Sequence, residues 1–368
     1  MLERFKVDAD KAVRVESDIL MGTVTKIFEK MGVPIEDSRL AANVLVTADL
    51  RGVDTHGVSN MLRTYVSNYN SGEINPTPSW KVLRETPSTA NIDSDAGHGI
   101  IIVPKAMEIA IQKAKDVGIG MVTIKNARHL GMASYHAMMA LKHDMIGMCM
   151  TSCPPSVLPT FGAEPLLGTN PIALAAPADK EPPFVFDAAM SSIAGNKIGL
   201  ATRLGNNLLP GWVADESGNP IMEETAPTES GQDNRLSRRL LPVGSTRELG
   251  SHKGYGLMAV VDILGGILSG GGYGANPGRP NFGHVVAAYS VEAFMDTKEF
   301  KRTMDEWLSM LKNSKPSEGH DRVLYAGLSE SETEAERRVK GIPLHPEVMD
   351  WFTDICGELS IPFKLRDS

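Results

Sequence analysis

The 368-residue chain has room for two or three domains, because a single apolar core stops growing near roughly 250–300 residues. Its 42% hydrophobic and 22% charged residues are the balance of an ordinary soluble globular protein. A net charge of −8, with no basic run beyond pairs such as Arg238-Arg239 and Arg337-Arg338, argues against nucleic acid as a partner and for a small ligand.

Residues Met1 to Lys6 lack the apolar core of a signal peptide, and no apolar run approaches the roughly twenty residues that span a bilayer. Cys149, Cys153 and Cys356 cannot all pair and show no two-residue spacing suited to zinc or redox chemistry. The expectation is a cytoplasmic protein with buried thiols, no metal and no membrane contact.

In chain order, the pattern predicts a helix over Glu16 to Met31 and a second from Pro34, a residue favoured in the first turn. Leu40, Val44 and Ala48 recur at helical spacing, and Arg51-Gly52 reads as the helix end. The segment Arg51-Gly52-Val53-Asp54-Thr55-His56-Gly57 then sets one imidazole between a hydroxyl and a glycine at a helix-helix corner. An imidazole titrates near neutrality, which suits a group that gives and takes a proton in each turnover. The same position also suits a histidine that only caps a helix or packs at the turn. A third helix follows over Val58 to Tyr69, with Met61, Leu62, Tyr65 and Val66 on one face and Gly72 closing it, before Pro76 and Pro78 mark a boundary.

From Trp80 to about Ser290, short strand-like runs alternate with a few helices: Met121 to Ile124, Ile146 to Met150, Ile172 to Ala176, Phe184 to Phe186 and His284 to Tyr289. The helices are too few for regular βαβ units, and no G-x-G-x-x-G follows a strand, so a Rossmann fingerprint is rejected. Residues 223 to 251 read as a polar surface loop or lid, and Gly265 to Gly274 as a helix end followed by a mobile loop. No repeat is visible. The tail returns to helix, with Phe300, Met304, Trp307, Leu308 and Leu311 at core spacing and a last helix around Pro346 to Leu359.

Four further constellations bear polar chemistry. His129 sits in Asn126-Ala127-Arg128-His129-Leu130-Gly131, where a strand-to-helix loop places functional groups, or simply as a surface histidine. Gly168-Thr169-Asn170-Pro171 offers a hydroxyl and an amide at a sharp turn, able to bond a carboxylate or carbonyl, though Asn-Pro is also a plain turn. Phe186-Asp187-Ala188-Ala189 ends an apolar strand with a carboxylate that either accepts from a ribose hydroxyl or caps the next segment. Ser251-His252-Lys253-Gly254-Tyr255-Gly256 opens a helix over Leu257 to Leu268, and a cation beside free amides at a helix start favours phosphate.

Taken in this order, the five motifs resemble those of the malate/L-lactate dehydrogenase family, over a span from about Glu16 to the C-terminus. The resemblance implies an α+β fold in which a non-Rossmann nucleotide-binding unit with a largely antiparallel sheet, residues 79–290, is inserted between helical segments 1–78 and 291–368. It implies a homodimer and reversible hydride transfer between NAD or NADP, with NAD preferred, and a small 2-oxo/2-hydroxy acid. Two alternatives stay open, a cyclic-imine reductase and a silent NAD(P)-binding relative.

Carried over by residue, His56 resembles the proton donor, assisted by Thr55, whereas ureidoglycolate dehydrogenase-like members credit the equivalent of His129. Thr169 matches a substrate contact; Asp187, Ala188, His252, Lys253 and Gly254 match cofactor contacts. Ser59 to Arg63 fall where relatives touch cofactor phosphates or substrate, and Ser59 is assigned to the cofactor. Where several relatives carry an arginine clamp this chain has Asn60, so Arg51, Arg63 and Lys197 are the cations expected to hold a carboxylate. Lys197 replaces an acid of the imine-reducing member, which favours a carbonyl substrate. The dimer is expected to use the faces Met61-Leu62-Tyr65-Val66 and Phe300-Met304-Trp307-Leu311, for which intradomain core is the competing reading.

Overall fold

Three helices follow a short strand, β1 (Val13–Val15), in a computed structural model of the protein that describes residues 3–227, 235–276, 282–363 and 365. They are α1 (Ser17–Lys30), α2 (Ile35–Leu50) and α3 (Val58–Asn70). In α1 and α3 the apolar residues recur three or four apart and turn one stripe inward, whereas α2 is buried on nearly every side from Ala41 to Leu50. The three helices meet the C-terminal end of the chain in one core: Phe28, Leu45, Leu62 and Tyr65 pack in the same cluster as Leu344, Val348 and Phe352. Met61, Leu62, Tyr65 and Val66 are at most 6% exposed, so the face expected to dock a second copy is intradomain core instead.

The remaining elements are β2 (Lys81–Glu85), β3 (Thr89–Asp93), α4 (Gly99–Val117), β4 (Ile119–Ala127), α5 (Ala133–Met138), β5 (Met145–Ser152), β6 (Ile172–Ala176), β7 (Phe184–Ala188), α6 (Asn196–Leu204), α7 (Ser251–Val261), β8 (Phe282–Ser290), α8 (Thr297–Lys312), α9 (Leu328–Lys340), β9 (Ile342–Leu344) and α10 (Pro346–Glu358). Seven strands form one sheet in the order β2-β3-β4-β8-β5-β6-β7, antiparallel except for the pair β3 and β4. That parallel pair needs a crossover, and α4 supplies it. A second, two-stranded sheet joins β1 to β9.

Both faces of the large sheet are covered. Val286 of β8 faces the cluster that includes Ile102, Met107 and Ala137 of α4 and α5, while its neighbour Val285 faces Val261 of α7, as the two-residue period of a strand requires. Helix α7 runs on into a π-helical turn, Asp262–Ile267, which holds Gly265 and Gly266 inside the helix and not beyond its end. A Cβ on Gly266 would lie 2.4 Å from the Gly272 carbonyl oxygen and 2.8 Å from Ser152 Oγ, so the glycine lets the helix lie directly on the sheet. Ser152 donates to the buried Asp262 carboxylate beneath it.

The polar stretch 223–251 is not a free lid in its described part. Leu240 and Leu241 are buried, Leu240 bridges to Val157 and Val213, and Pro242 bridges to Ser191; residues 228–234 lie outside the described chain. Helix α8 packs buried Leu308, with Met304 and Leu311 partly buried, against Phe184 and Tyr325, while Trp307 on the same face stays 42% exposed. Among the described residues an open apolar stripe lies on α7 and its π turn, where Leu257, Val260, Ile263, Ile267 and Leu268 are 42–58% exposed. All three cysteines are buried. Among the described residues no helix is long and apolar enough to cross a membrane, and no His, Cys, Asp and Glu cluster could hold a metal ion.

Candidate active site

The turn between α2 and α3 is held from three sides. Val58 N–H donates to Asp49 Oδ2 at 2.8 Å, so a buried carboxylate caps α3. A Cβ on Gly57 would stand 1.8 Å from Asp49 Oδ1, which is why a glycine follows the histidine. From α9, Arg337 donates to the Asp49 carbonyl and to Asp54 Oδ1 (2.5 Å), and Glu334 pairs with Arg51 at 2.9 Å. Asn196 Nδ2, at the start of α6, donates to the Thr55 carbonyl at 3.1 Å. Thus fixed, the turn presents His56 to a cavity of about 600 Å³, well within the size of small-molecule sites.

His56 and His129 share that cavity as a stacked pair, with ring centroids 5.7 Å apart and planes 11° from parallel. Thr55 Oγ1 lies 2.9 Å from Nδ1 of His56. Nδ1 of His129 accepts the Gly131 amide at 3.2 Å and meets the Tyr65 hydroxyl at 2.6 Å. A ring nitrogen that accepts an amide N–H carries no proton, so His129 is the neutral tautomer with its proton on Nε2. Burial, reinforced by the charge His56 can carry, holds the His129 pKa well below the usual histidine value. Burial also lowers His56, to about 4, so in the free enzyme near neutral pH it stands as a base.

The rest of the cavity gathers residues from distant stretches. Thr169 lines it beside Cys153, whose Sγ is 3.7 Å from the threonine hydroxyl. Asn170 spends its side chain on the fold, accepting from Cys153 N–H at 2.9 Å and donating to the Met258 carbonyl at 3.0 Å. Asp187 opens into the cavity next to Ala188, and its Oδ2 accepts the Ser134 amide at 2.6 Å. Lys197 lies over the rings of Phe5 (5.4 Å) and Trp212 (5.7 Å) and forms no ion pair among the described residues. Arg51 also lines the cavity, but its Nη1 is committed to Glu334, and its Nε is buried without a partner among the described residues.

Six expected site residues do not reach the cavity. Asn60 donates to the Asp54 carbonyl and accepts from Arg203, which also binds the Ser59 carbonyl; both residues build the turn. Arg63 pairs with Glu347 at 2.6 Å and lies over Trp351, so it is no substitute for the missing clamp. His252 and Lys253 stand exposed on the first turn of α7, with His252 Nδ1 held by Arg247 at 2.9 Å. At Gly254 a Cβ would meet the Val243 carbonyl oxygen at 2.6 Å, so packing explains that glycine.

Sequence reasoning missed Ser134, Thr151, Ser191, Ser192 and Trp212 as cavity lining, and Tyr65 as the partner of His129. Ser191 and Ser192 had a usable signal, since they come shortly after the Phe186-Asp187 strand end. Tyr65 had none, because its spacing matches an apolar stripe.

Residues 15–353 match the family model described as malate/L-lactate dehydrogenase, and the chain belongs to that family. It is a hydroxy-acid dehydrogenase, an oxidoreductase acting on CH–OH groups. Among its relatives, the malate dehydrogenase of Pyrococcus abyssi is 39% identical over 367 residues, covering 98% of this chain and 99% of that protein. The L-sulfolactate dehydrogenase of Methanocaldococcus jannaschii is 37% identical, covering 92% and 95%. The crystal structure of malate dehydrogenase from Entamoeba histolytica matches with a TM-score of 0.90 at 33% identity, covering 96% of this chain and 99% of that one.

Proposed function

We propose that the chain interconverts a small 2-oxo acid and its 2-hydroxy acid with a nicotinamide cofactor, NAD in preference to NADP, and that the acid is of the malate type. The observation that carries this reading is one cavity holding an imidazole free to change protonation, His56, together with a cation, Lys197, that has no ion pair among the described residues. Of the stacked pair only His56 lacks an amide donor on its Nδ1, so His56 is the proton-transfer group, with Thr55 orienting its ring. Lys197 and Thr169 hold the carboxylate. Arg51, already paired with Glu334, sits behind as a second positive charge.

The cavity's donor set suits the cofactor. Leu130, Met132, Phe186 and Ile193 give an apolar wall for a flat ring, while Asp187 and Glu330 on the same lining accept hydroxyls and repel an extra phosphate, which supports NAD. When bound, the nicotinamide supplies or takes up the hydride at C2 of the acid. In the oxidising direction neutral His56 accepts the hydroxyl proton; in the reducing direction its imidazolium returns a proton to the carbonyl oxygen. Lys253 and His252, one loop away from Ser192 through Pro242, remain the candidates for the outer phosphate.

The nucleotide-binding unit is read as residues 79–290, of non-Rossmann type, between helical segments 1–78 and 291–368. The single parallel strand pair and the joint core of α1 to α3 with α10 support that division. The exposed apolar face of α7 supports a homodimer. Light scattering over a dilution series should give twice the chain mass, and a fully active monomer at nanomolar concentration would contradict it.

A panel of 2-oxo acids and cyclic imines, assayed with NADH and NADPH by nicotinamide absorbance, tests the function. Four-carbon 2-oxo diacids with NADH should turn over fastest, and Lys253→Ala should raise the KM for cofactor and leave that for the acid. Turnover of cyclic imines alone would overturn the reading.

A further inference from the structure

Tyr65 lies on the buried side of α3, 1% exposed, yet its hydroxyl does not end in apolar surroundings. It reaches Nδ1 of His129 at 2.6 Å, from an element more than sixty residues away in sequence. A buried phenol stays protonated, and burial pushes the Tyr65 pKa well above its ordinary value. Because the Gly131 amide already donates to the same nitrogen, the phenol meets that nitrogen as a second donor.

The tyrosine ring is itself held from behind. His98, 1% exposed, packs perpendicular to it at 4.2 Å, and the Tyr69 hydroxyl lies 2.9 Å from Nδ1 of His98. Nε2 of His98 has no nitrogen or oxygen partner among the described residues, and of the three rings around His98 that of Tyr65 stands nearest by centroid. Phe28 closes the far side at 6.3 Å from His98. Neutral His98 suits this aromatic cage, since burial lowers its pKa to about 3. The row Tyr69, His98, Tyr65 and His129 therefore runs from the helical core to the cavity wall.

We propose that Tyr65 is a positioning residue for the reaction: by donating to Nδ1 of His129 it holds that ring so that only the Nε2–H faces the cavity. His129 then meets the carbonyl oxygen of a bound acid as a neutral hydrogen-bond donor, and the proton itself passes through His56. This rests on the function proposed above. Two rings stacked 5.7 Å apart could otherwise compete for one proton; the double load on Nδ1 of His129 removes one competitor and leaves a single titrating group in contact with substrate. The other titratable groups whose charge bears on His129 are His56, His98, His136 and His284, and none of them donates to its Nδ1.

The test is Tyr65→Phe, which deletes one oxygen and keeps the ring against His98. Two quantities are read: steady-state kinetics with the preferred acid, and the ring ¹⁵N signals of His129 during a pH titration of the free enzyme by NMR. The variant should lose about tenfold in kcat, as expected when an orienting partner is removed, with the cofactor KM within about twofold of the parent. Its His129 should take up a proton on Nδ1 at a higher pH than in the parent, because a donor to the neutral form is gone. An unchanged kcat, or a His129 titration that does not move, overturns the proposal. If the parent itself reduces no 2-oxo acid, the function reading fails separately, since the titration needs no substrate.

Discussion

Replacing His56 by alanine is expected to lower turnover about a hundredfold or more in both directions, with the fold and cofactor binding intact. The side chain is partly open to the cavity, and the turn around it is fixed by contacts the imidazole does not make: Asp49 to Val58, Arg337 to Asp54 and Asn196 to the Thr55 carbonyl. Its loss should therefore leave the turn standing and remove only the proton path. His129→Ala made in parallel should lose less, because a neutral donor to the carbonyl oxygen stabilises charge without carrying the proton. Cofactor fluorescence on both variants checks binding. Near-normal turnover in His56→Ala, with collapse in His129→Ala, would transfer the proton to the second ring.

The second large effect is in pH. Reduction consumes a proton and oxidation releases one, so the ratio of kcat/KM for reduction to that for oxidation must fall tenfold for each pH unit. Which of the two absorbs the change depends on the free-enzyme pKa of the transferring group. With His56 lowered to about 4 by burial, its protonated fraction falls tenfold per unit throughout the neutral range. Hence kcat/KM for reduction should drop about a hundredfold from pH 6 to pH 8, while kcat/KM for oxidation stays flat. The measurement is initial rates in both directions at sub-saturating acid. A flat reduction limb with oxidation rising over the same window would place the pKa above 8 and contradict a buried, neutral His56.

Much of this arrangement could be read from the sequence, and the parts that could not have physical reasons. The three N-terminal helices are near their expected ends because α1 and α3 carry one-sided stripes and the turns flanking the helices carry Pro34, Gly57 and Gly72. Helix α4 escaped notice because its first turn, Ile100, Ile101, Ile102 and Val103, is wholly buried and Pro104 follows it, although further on the open positions Lys105, Glu108 and Gln112 do recur at helical spacing. Strand β2 was missed because all five of its residues are exposed at the sheet edge, where charges replace alternation. That His56 and His129, seventy-three positions on, stack in one cavity was not legible, since periodicity says nothing about which loops meet and the family resemblance offered the two only as alternative proton donors. The carboxylate clamp illustrates the limit best: Arg63 has the right charge one helical turn from the gap, yet Glu347 in α10 takes it. Likewise the stripe Met61-Leu62-Tyr65-Val66 turns into the chain's own core, while the helix expected over Leu257 to Leu268 carries an open apolar stripe that its spacing did not single out.

The most direct measurement of the central claim is isotopic. Reduction of a four-carbon 2-oxo diacid with NADH carrying deuterium in both C4 positions should yield a 2-hydroxy acid with one deuterium at C2, seen by mass spectrometry, and a hydroxyl proton drawn from solvent. His56→Ala should form the same product about a hundredfold more slowly. Product without deuterium at C2, or no product from any 2-oxo acid by an enzyme shown to bind NADH, would contradict it.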